Sequence, residues 1–366
     1  MNYYIIAGEA SGDLHASNLM KELKLLDTSA KFRCWGGDLM KEQGAVLVKH
    51  YHELAFMGFT EVLMNLRTIF KNIDFCKKDI LEHKPDVLIL VDYPGFNLRI
   101  AEFAKSAGIK IFYYISPQIW AWKQSRVKKI KLVVDKMFVI LPFEKEFYQR
   151  FNFAVDFVGH PLLDAVDNYS GQTGTLPFNT DKPIIALLPG SRKQEINVML
   201  PLMLSMQKYY KNYQFVIAGA PSQNEEFYKT FIVDADVKIV FNQTYQLLQK
   251  SHAALVTSGT ATLETALFGI PEVVCYKGGA ISYAIAKQLI KVKYISLVNL
   301  IMDKVIVKEL IQQELNENNL KSELDKLLIP ATRSKLLVEY AELKEKLGGS
   351  GASKKTAELM IKYLKK

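Results

Sequence analysis

The sequence predicts an α/β protein made of two halves, each organised around its own parallel sheet. Three observations lead there. Short apolar runs of strand length alternate with helix-period segments along most of the 366 residues. The innermost runs, such as Val87-Leu88-Ile89-Leu90-Val91, are continuously apolar, as in strands covered on both faces. Polar, often glycine-bearing loops repeatedly follow those runs, where open parallel sheets bind ligands.

In the first half the predicted strands are Tyr3–Ala7, Lys31–Trp35, Asp86–Val91, Lys110–Ile115, Lys136–Ile140 and Asp156–Val158. In the second they are Pro183–Leu188, Gln214–Ala218, Val237–Phe241, Ala253–Thr257 and Pro271–Tyr276. The stretch Asn168–Asp181, rich in Gly, Ser, Thr and Pro, is the expected linker. Domains are therefore expected over 1–168 and 169–351, and Gly348-Gly349-Ser350-Gly351 precedes a terminal helix over about 352–366. The halves share a plan but no recurring residue pattern.

Composition narrows the function classes. Hydrophobic content of 49% and charged content of 23% are ordinary for a globular protein. No apolar run approaches the roughly 20 residues that span a bilayer, and the N-terminal stretch has no signal-peptide pattern. Cys34, Cys76 and Cys275 are scattered and odd in number, so a reduced, cytosolic protein without disulfides is expected. The net charge of +9 lies mostly in the second half. No block interleaves basic and aromatic residues, so nucleic acid is not an expected partner. A phosphate site, an anionic membrane surface or a solvated tail would each accommodate the excess. Of six histidines only His50 and His52 stand close together, a strand or loop feature rather than metal ligands, and no metal or other cofactor is expected.

Two loops of the second half are candidate phosphate sites. Ser258-Gly259-Thr260 follows an apolar strand and opens a helix, so unpaired amides and hydroxyls meet at a positive dipole end. Glu264, about one turn later, is placed to reach a ribose. Taken alone, the run reads first as a helix cap, which is what most such Ser/Thr sequences are. Leu188-Pro189-Gly190-Ser191-Arg192 adds close backbone approach and a planar guanidinium fork. Together they favour a diphosphate site, with neither a Walker-type loop nor Gly-x-Gly-x-x-Gly present. In the first half Asp92 follows the very apolar strand Val87–Val91 and is a candidate general base, the plainer reading being a cap for the helix near Asn97 or a bond to the Tyr93-Pro94-Gly95 turn. Glu9, Asp13 and His15 are rivals, and Ser11, Gly12 and Asp13 form a candidate acceptor-side loop.

One stretch carries excess apolar area. Phe56, Phe59, Val62, Leu63, Leu66, Ile69, Phe70 and Ile73 recur at helical spacing, with Arg67, Lys71, Lys77 and Lys78 alongside. Most such stripes are core, but an acyl-chain groove or membrane-surface element has the same look. Trp120 and Trp122, followed by Lys123 and Arg126, are similarly ambiguous.

Taken in order, these motifs resemble the lipid-A-disaccharide synthase family. The resemblance runs through Ala7-Gly8-Glu9-Ala10-Ser11-Gly12-Asp13, Trp35-Gly36-Gly37, Met57–Val62, Asp92–Asn97, Ser116–Trp122, Leu141-Pro142-Phe143-Glu144 and Val158-Gly159-His160-Pro161. It continues through Leu188–Arg192, Ser258–Glu264 and Ser296–Ile301. It implies a GT-B fold of two Rossmann-like domains with parallel sheets facing a cleft, the terminal helix returning to the first. It also implies an inverting transfer from UDP-2,3-diacylglucosamine to 2,3-diacylglucosamine 1-phosphate, giving the β-1,6-linked disaccharide 1-phosphate and UDP. Asp92 would be the base, and Ser191, Arg192, Ser258, Gly259, Thr260, Glu264 and Asn299 would lie at the nucleotide. Phe59, Leu63, Leu66 and Phe70 would meet acyl chains or membrane, on an enzyme peripheral to the inner membrane. The chain departs from the family pattern at Gly95 and Val298, and His15 is given no duty. The nearest alternative is another GT-B enzyme of UDP-GlcNAc, a peptidoglycan-precursor transferase or an epimerase.

Overall fold

All paired strands run parallel in two separate sheets. The computed structural model describes residues 1–54, 66–170, 174–232, 236–279 and 292–365. By packing, the chain divides into Met1–Pro161 with Gly348–Lys366, and Leu162–Leu347.

The first unit contains β1 (Asn2–Ala7), β2 (Lys31–Gly36), β3 (Val46–His50), β4 (Val87–Val91), β5 (Lys110–Tyr114), β6 (Lys136–Val139) and β7 (Asp156–Phe157). Their spatial order is β3-β2-β1-β4-β5-β6-β7. The strand order therefore reverses between β1 and β4, which pair from Tyr3↔Val87 to Ala7↔Val91. Both strands are buried along nearly their whole length. Each fully buried Ile or Leu side chain contributes about 1.5–3 kcal/mol relative to exposure. Helix Ala352–Leu364 packs on helix Ala10–Leu26, the expected return of the terminal helix.

The second unit contains β8 (Ile184–Leu188), β9 (Gln214–Gly219), β10 (Lys238–Phe241), β11 (Ser251–Thr257), β12 (Glu272–Tyr276) and β13 (Lys308–Ile311). The order is β10-β9-β8-β11-β12-β13, and it reverses between β8 and β11. One face of this sheet packs Ala186, Leu188, Val216, Val240, Ala254 and Val256 against Leu247 and Leu248.

Two strands were not foreseen, β3 and β13. Both lie at sheet edges. A strand paired on one side only need not be apolar, and Lys308-Glu309-Leu310-Ile311 is half charged. The apolar stripe at 56–73 falls partly outside the described residues, including Phe59 and Leu63. Leu66 opens helix Leu66–His83. On that helix Ile73, Cys76 and Ile80 are buried, while Phe70 is 52% exposed with the Arg99 guanidinium 5.4 Å from its ring centre. The described part of the stripe is thus core on one side and solvent-facing at Phe70. The three cysteines are free and buried.

Glu272 stands apart in the second core. It is fully buried, and among the described residues neither carboxyl oxygen has a hydrogen-bond partner. Burial raises its pKa well above the ordinary carboxyl value. A folded-state pKa above the unfolded one gives stability that is complete below the unfolded value and lost as pH rises through the folded one. Glu272→Gln is therefore expected to melt higher than the parent protein at pH 8, with the difference vanishing near pH 4. Thermal melts at the two pH values check this, and equal melting at pH 8 would refute the assignment.

Candidate active site

In the first unit the functional residues gather where β1 and β4 end. Gly8 follows β1 beside the Asp92-Tyr93 turn that follows β4, and a Cβ on Gly8 would lie 2.3 Å from the Tyr93 ring. Only glycine allows that approach. Asp92 and Tyr93 both adopt left-handed conformations, with φ of 44° and 47°. Non-glycine residues rarely do so, and never without surrounding support. The support is concentrated on the Asp92 carbonyl, which accepts from Tyr113 Oη at 2.6 Å and Asn97 Nδ2 at 2.7 Å. Asn97 also donates to Val91 O, and the Asp92 amide donates to Tyr114 O.

This turn leaves the Asp92 carboxyl half-buried at the sheet end. Its pKa is raised to about 7, first by burial and then by the Glu9 charge, with partial offset from the Tyr93 amide. A carboxylate poised near neutrality suits a general base. The cap reading of Asp92 is not what the chain does. Tyr93 is the N-cap of helix Pro94–Ser106 and its side chain makes no cap bond, while the Asp92 carboxyl accepts from the Tyr93 amide within the turn.

The rival acid, Asp13, is otherwise engaged. Ser11, Gly12 and Asp13 form the first turn of helix Ala10–Leu26 rather than a loop, which corrects the expectation from sequence. The Asp13 carboxylate is buried and accepts from the amides of Gly37 (2.8 Å), Leu39 (3.1 Å) and Met40 (3.1 Å). It fastens the Trp35-Gly36-Gly37 turn, where a Gly37 Cβ would lie 2.5 Å from Asp13 Oδ2. Gly12 is buried against Ala7, and Ser11 is exposed. His15 and His160 are both buried, and burial followed by the neighbouring His15 lowers the His160 pKa to about 3.

Sequence reasoning named Glu144 within the Leu141–Glu144 motif but gave it no role. This fully buried carboxyl accepts from Trp120 Nε1 (3.2 Å), Ile140 N (3.2 Å) and Leu141 N (3.0 Å). Its pKa is raised to about 7 by burial, against those hydrogen bonds. It ties the Ser116–Trp122 loop to the start of helix Pro142–Gln149. The signal was available, since proline at the first helical position with Glu two residues on is half of a capping box. Beyond it, Trp122 is 50% exposed with Lys123 and Arg126 each 5.4 Å from its ring centre.

In the second unit the two phosphate loops follow the adjacent strands β8 and β11. Gly190 takes φ of 109°, and a Cβ there would meet Glu195 Oε2 at 2.8 Å. Ser191 and Arg192 are exposed at the start of helix Lys193–Leu204, and Arg192 Nη1 lies 3.5 Å from Glu195 Oε1. Helix Thr260–Leu267 begins at Gly259 with no side-chain cap. Ser258 Oγ instead donates to Ile295 O at 3.0 Å, so its hydroxyl does not serve the helix-cap role. Gly259 and Thr260 are exposed, and a Cβ on Gly259 would meet no atom within 4 Å. The helix start therefore opens to solvent with its dipole end uncovered among the described residues. Glu264 is half-buried one turn on, its Oε1 accepting from Tyr245 Oη at 3.0 Å.

Asn299 differs from the expectation of a nucleotide contact. It is 1% exposed; its Nδ2 donates to Val307 O (2.8 Å) and Glu309 Oε1 (2.9 Å), and its Oδ1 accepts from Ile306 N (2.7 Å) and Val307 N (3.0 Å). Every hydrogen-bonding position of the amide is filled within the protein. Glu309 in turn accepts from the amides of Ile295 and Ser296, so Asn299 supports the segment that Ser258 touches.

Among the described residues the one carboxylate–histidine group with ligand spacing is Asp79, Glu82 and His83. Asp79 there already accepts two hydrogen bonds from Arg33 and one from Tyr4. The chain also contains Asp234-Ala235-Asp236. Asp234 and Ala235 lie outside the described residues, while Asp236 pairs with Lys182 at 3.0 Å ahead of β10, at the sheet end opposite the phosphate loops.

Two parallel-sheet units, each with its polar loops at the strand-order reversal, define a protein of the GT-B fold class. Solved structures agree on the fold. A UDP-GlcNAc 2-epimerase from Neisseria meningitidis, bound to UDP-GlcNAc, matches with a TM-score of 0.69 at 15% identity, covering 99% of this chain and 100% of that one. A calicheamicin glycosyltransferase matches with a TM-score of 0.64 at 14% identity, covering 100% and 98%. The family model described as lipid-A-disaccharide synthetase matches residues 3–362, and the chain belongs to that family of glycosyltransferases. Lipid-A-disaccharide synthase of Syntrophus aciditrophicus is 41% identical over 99% of this chain and 97% of its own. That of Coxiella burnetii is 37% identical over 97% and 96%.

If Asn299 acts as a scaffold, its loss should unfold rather than merely weaken binding. Asn299→Ala strands several buried donors and acceptors, and a destabilisation of roughly 2–4 kcal/mol is expected from such a loss. Urea denaturation reads it, and unchanged stability would return Asn299 to the ligand.

Proposed function

We propose that this chain makes the lipid A disaccharide by a single in-line displacement. The donor is UDP-2,3-diacylglucosamine and the acceptor is 2,3-diacylglucosamine 1-phosphate. The acceptor 6-oxygen bonds to the donor anomeric carbon as the bond from that carbon to the diphosphate oxygen breaks. The acceptor proton passes to Asp92, and the electron pair leaves with UDP. One displacement inverts the anomeric centre, giving the β linkage. The observation that carries this reading is the Asp92 environment, a carboxyl with pKa raised to about 7 on a braced turn at the strand-order reversal.

The second unit holds the nucleotide in this reading. Arg192 and the open start of helix Thr260–Leu267 offset the charge that develops on the departing diphosphate. Ser191, Ser258, Gly259 and Thr260 frame it, and Glu264 accepts from the ribose. No described helix is long and apolar enough to cross a membrane. The acyl chains of both substrates call for an apolar approach, and exposed Phe70, together with Phe59, Leu63 and Leu66, is the proposed contact. The enzyme would then work from the cytoplasmic side as a peripheral protein of the inner membrane.

Asp92→Asn should keep UDP binding while losing about a hundred- to ten-thousand-fold in turnover. It should also melt higher than the parent at pH 8, because the raised carboxyl costs stability as pH climbs from the unfolded value through about 7. For the parent enzyme, turnover should rise with pH to a plateau above about 7. UDP release should require both diacylated sugars, and comparable turnover of unacylated UDP-GlcNAc would favour the epimerase or peptidoglycan-precursor alternative. An active Asp92→Asn enzyme would move the base elsewhere, Glu9 first.

The lipid contact has its own test. Serine at Phe59, Leu63 and Phe70 should weaken sedimentation with anionic phospholipid vesicles while leaving the melting temperature close to the parent's. A collapse in melting temperature instead would make the stripe core.

A further inference from the structure

Tyr245 and Glu264 come from different helices and meet beside the proposed nucleotide loops. Tyr245 lies in the first turn of helix Thr244–Lys250, which follows β10, and Glu264 lies in helix Thr260–Leu267, which follows β11. The phenol donates to Glu264 Oε1 at 3.0 Å. The tyrosine ring is held on two sides, edge-on to Tyr169 at 5.4 Å between centroids and tilted against Phe268 at 5.0 Å. The hydroxyl is therefore fixed by packing before it reaches the carboxylate, and pinning one carboxylate oxygen fixes the direction of the other.

We propose that Tyr245 is a positioning residue that aims the Glu264 carboxylate at the ribose hydroxyls of a bound nucleoside diphosphate, making the site discriminate ribose from deoxyribose. The inference rests on the nucleotide reading of the second unit given above. Helix geometry supports the placement. Glu264 stands four residues beyond Thr260, a rise of about 6 Å along the axis, comparable to the span from a phosphate to its ribose diol. The chemistry supports it as well. Burial pushes the Glu264 carboxyl above its ordinary pKa, and the Tyr245 hydrogen bond opposes that shift. A carboxylate accepts from sugar hydroxyls through either oxygen. Tyr245 thus keeps the Glu264 carboxyl oriented. A tyrosine serving only as core would affect stability and not sugar preference.

The test compares UDP with 2′-deoxy-UDP by isothermal titration calorimetry on the full-length chain. Tyr245→Phe keeps the ring against Tyr169 and Phe268 and removes only the hydroxyl. The parent should prefer UDP. The variant should bind UDP about three- to tenfold more weakly, the value of one hydrogen bond, with 2′-deoxy-UDP little changed and the preference narrowed. Glu264→Gln should narrow it at least as far. Both ligands are measured on the same preparation, so any unfolded fraction cancels in the ratio. The parent's preference persisting in Tyr245→Phe while Glu264→Gln loses it would overturn the proposal alone. Equal binding of both ligands by the parent would overturn it together with the ribose role of Glu264. A parent that binds neither would overturn the nucleotide reading itself.

Discussion

The controlling constraint is the handedness of connections in a parallel sheet. Each crossover between parallel strands must be right-handed, so a sheet with helices on both faces has to start in its middle and wind outward twice. The two windings part at one place, between β1 and β4 in the first sheet and between β8 and β11 in the second. There the loops leave toward opposite faces and open a crevice at the strand ends. Asp92 and Glu9 stand at one such place, and the Gly190–Arg192 and Ser258–Thr260 loops at the other. Topology chose the sites before any side chain did.

Around each crevice the polar residues divide into two kinds. Asp13, Asn97, Glu144 and Asn299 are buried, and their hydrogen bonds are made to backbone or to neighbouring side chains. They fasten turns that carry something else. Ser11, Ser191, Arg192 and Thr260 are exposed and left facing solvent. A loop with only the second kind would be mobile, and one with only the first would have nothing to offer a ligand. The left-handed pair at Asp92 and Tyr93 shows why both are needed. A turn strained at two successive residues persists because Tyr113 and Asn97 hold one carbonyl from two directions.

This division also sets what the sequence can and cannot reveal. The central strands were legible because burial on both faces leaves a continuous apolar run, as in Val87–Val91. β3 and β13 were not, because an edge strand tolerates charge. The loops after the strands were legible as places but not as roles. Ser258 and Asn299 read alike in a motif, yet one hydroxyl crosses to Ile295 while the other side chain closes on Val307 and Glu309. Asp13 read as a loop acid because nothing local announces Gly37 as its partner, 24 residues away. Tyr113 gave no sign at all, since its role depends on which strand lies next to β4. Local pattern carries secondary structure and ligand-facing loops; the bracing partners are long-range and emerge only from register.

Desolvated carboxyls make the same point energetically. Asp92, Glu144, Glu264 and Glu272 all have raised pKa values with burial as the first cause. For Glu144 and Glu264 neighbouring donors recover part of that cost, and the groups they fasten lie beside the functional loops. Asp92 has the amide of Tyr93 and little more, which leaves its carboxyl ready to take a proton near neutral pH. A better-solvated Asp92 would make the protein more stable at neutral pH and the carboxylate a weaker base, because the same desolvation governs both. Glu272 shows that desolvation alone is not function, since it has the raised pKa but lies fully buried in the core. What separates Asp92 from Glu272 is place in the topology, one at the reversal of strand order and the other at the start of β12.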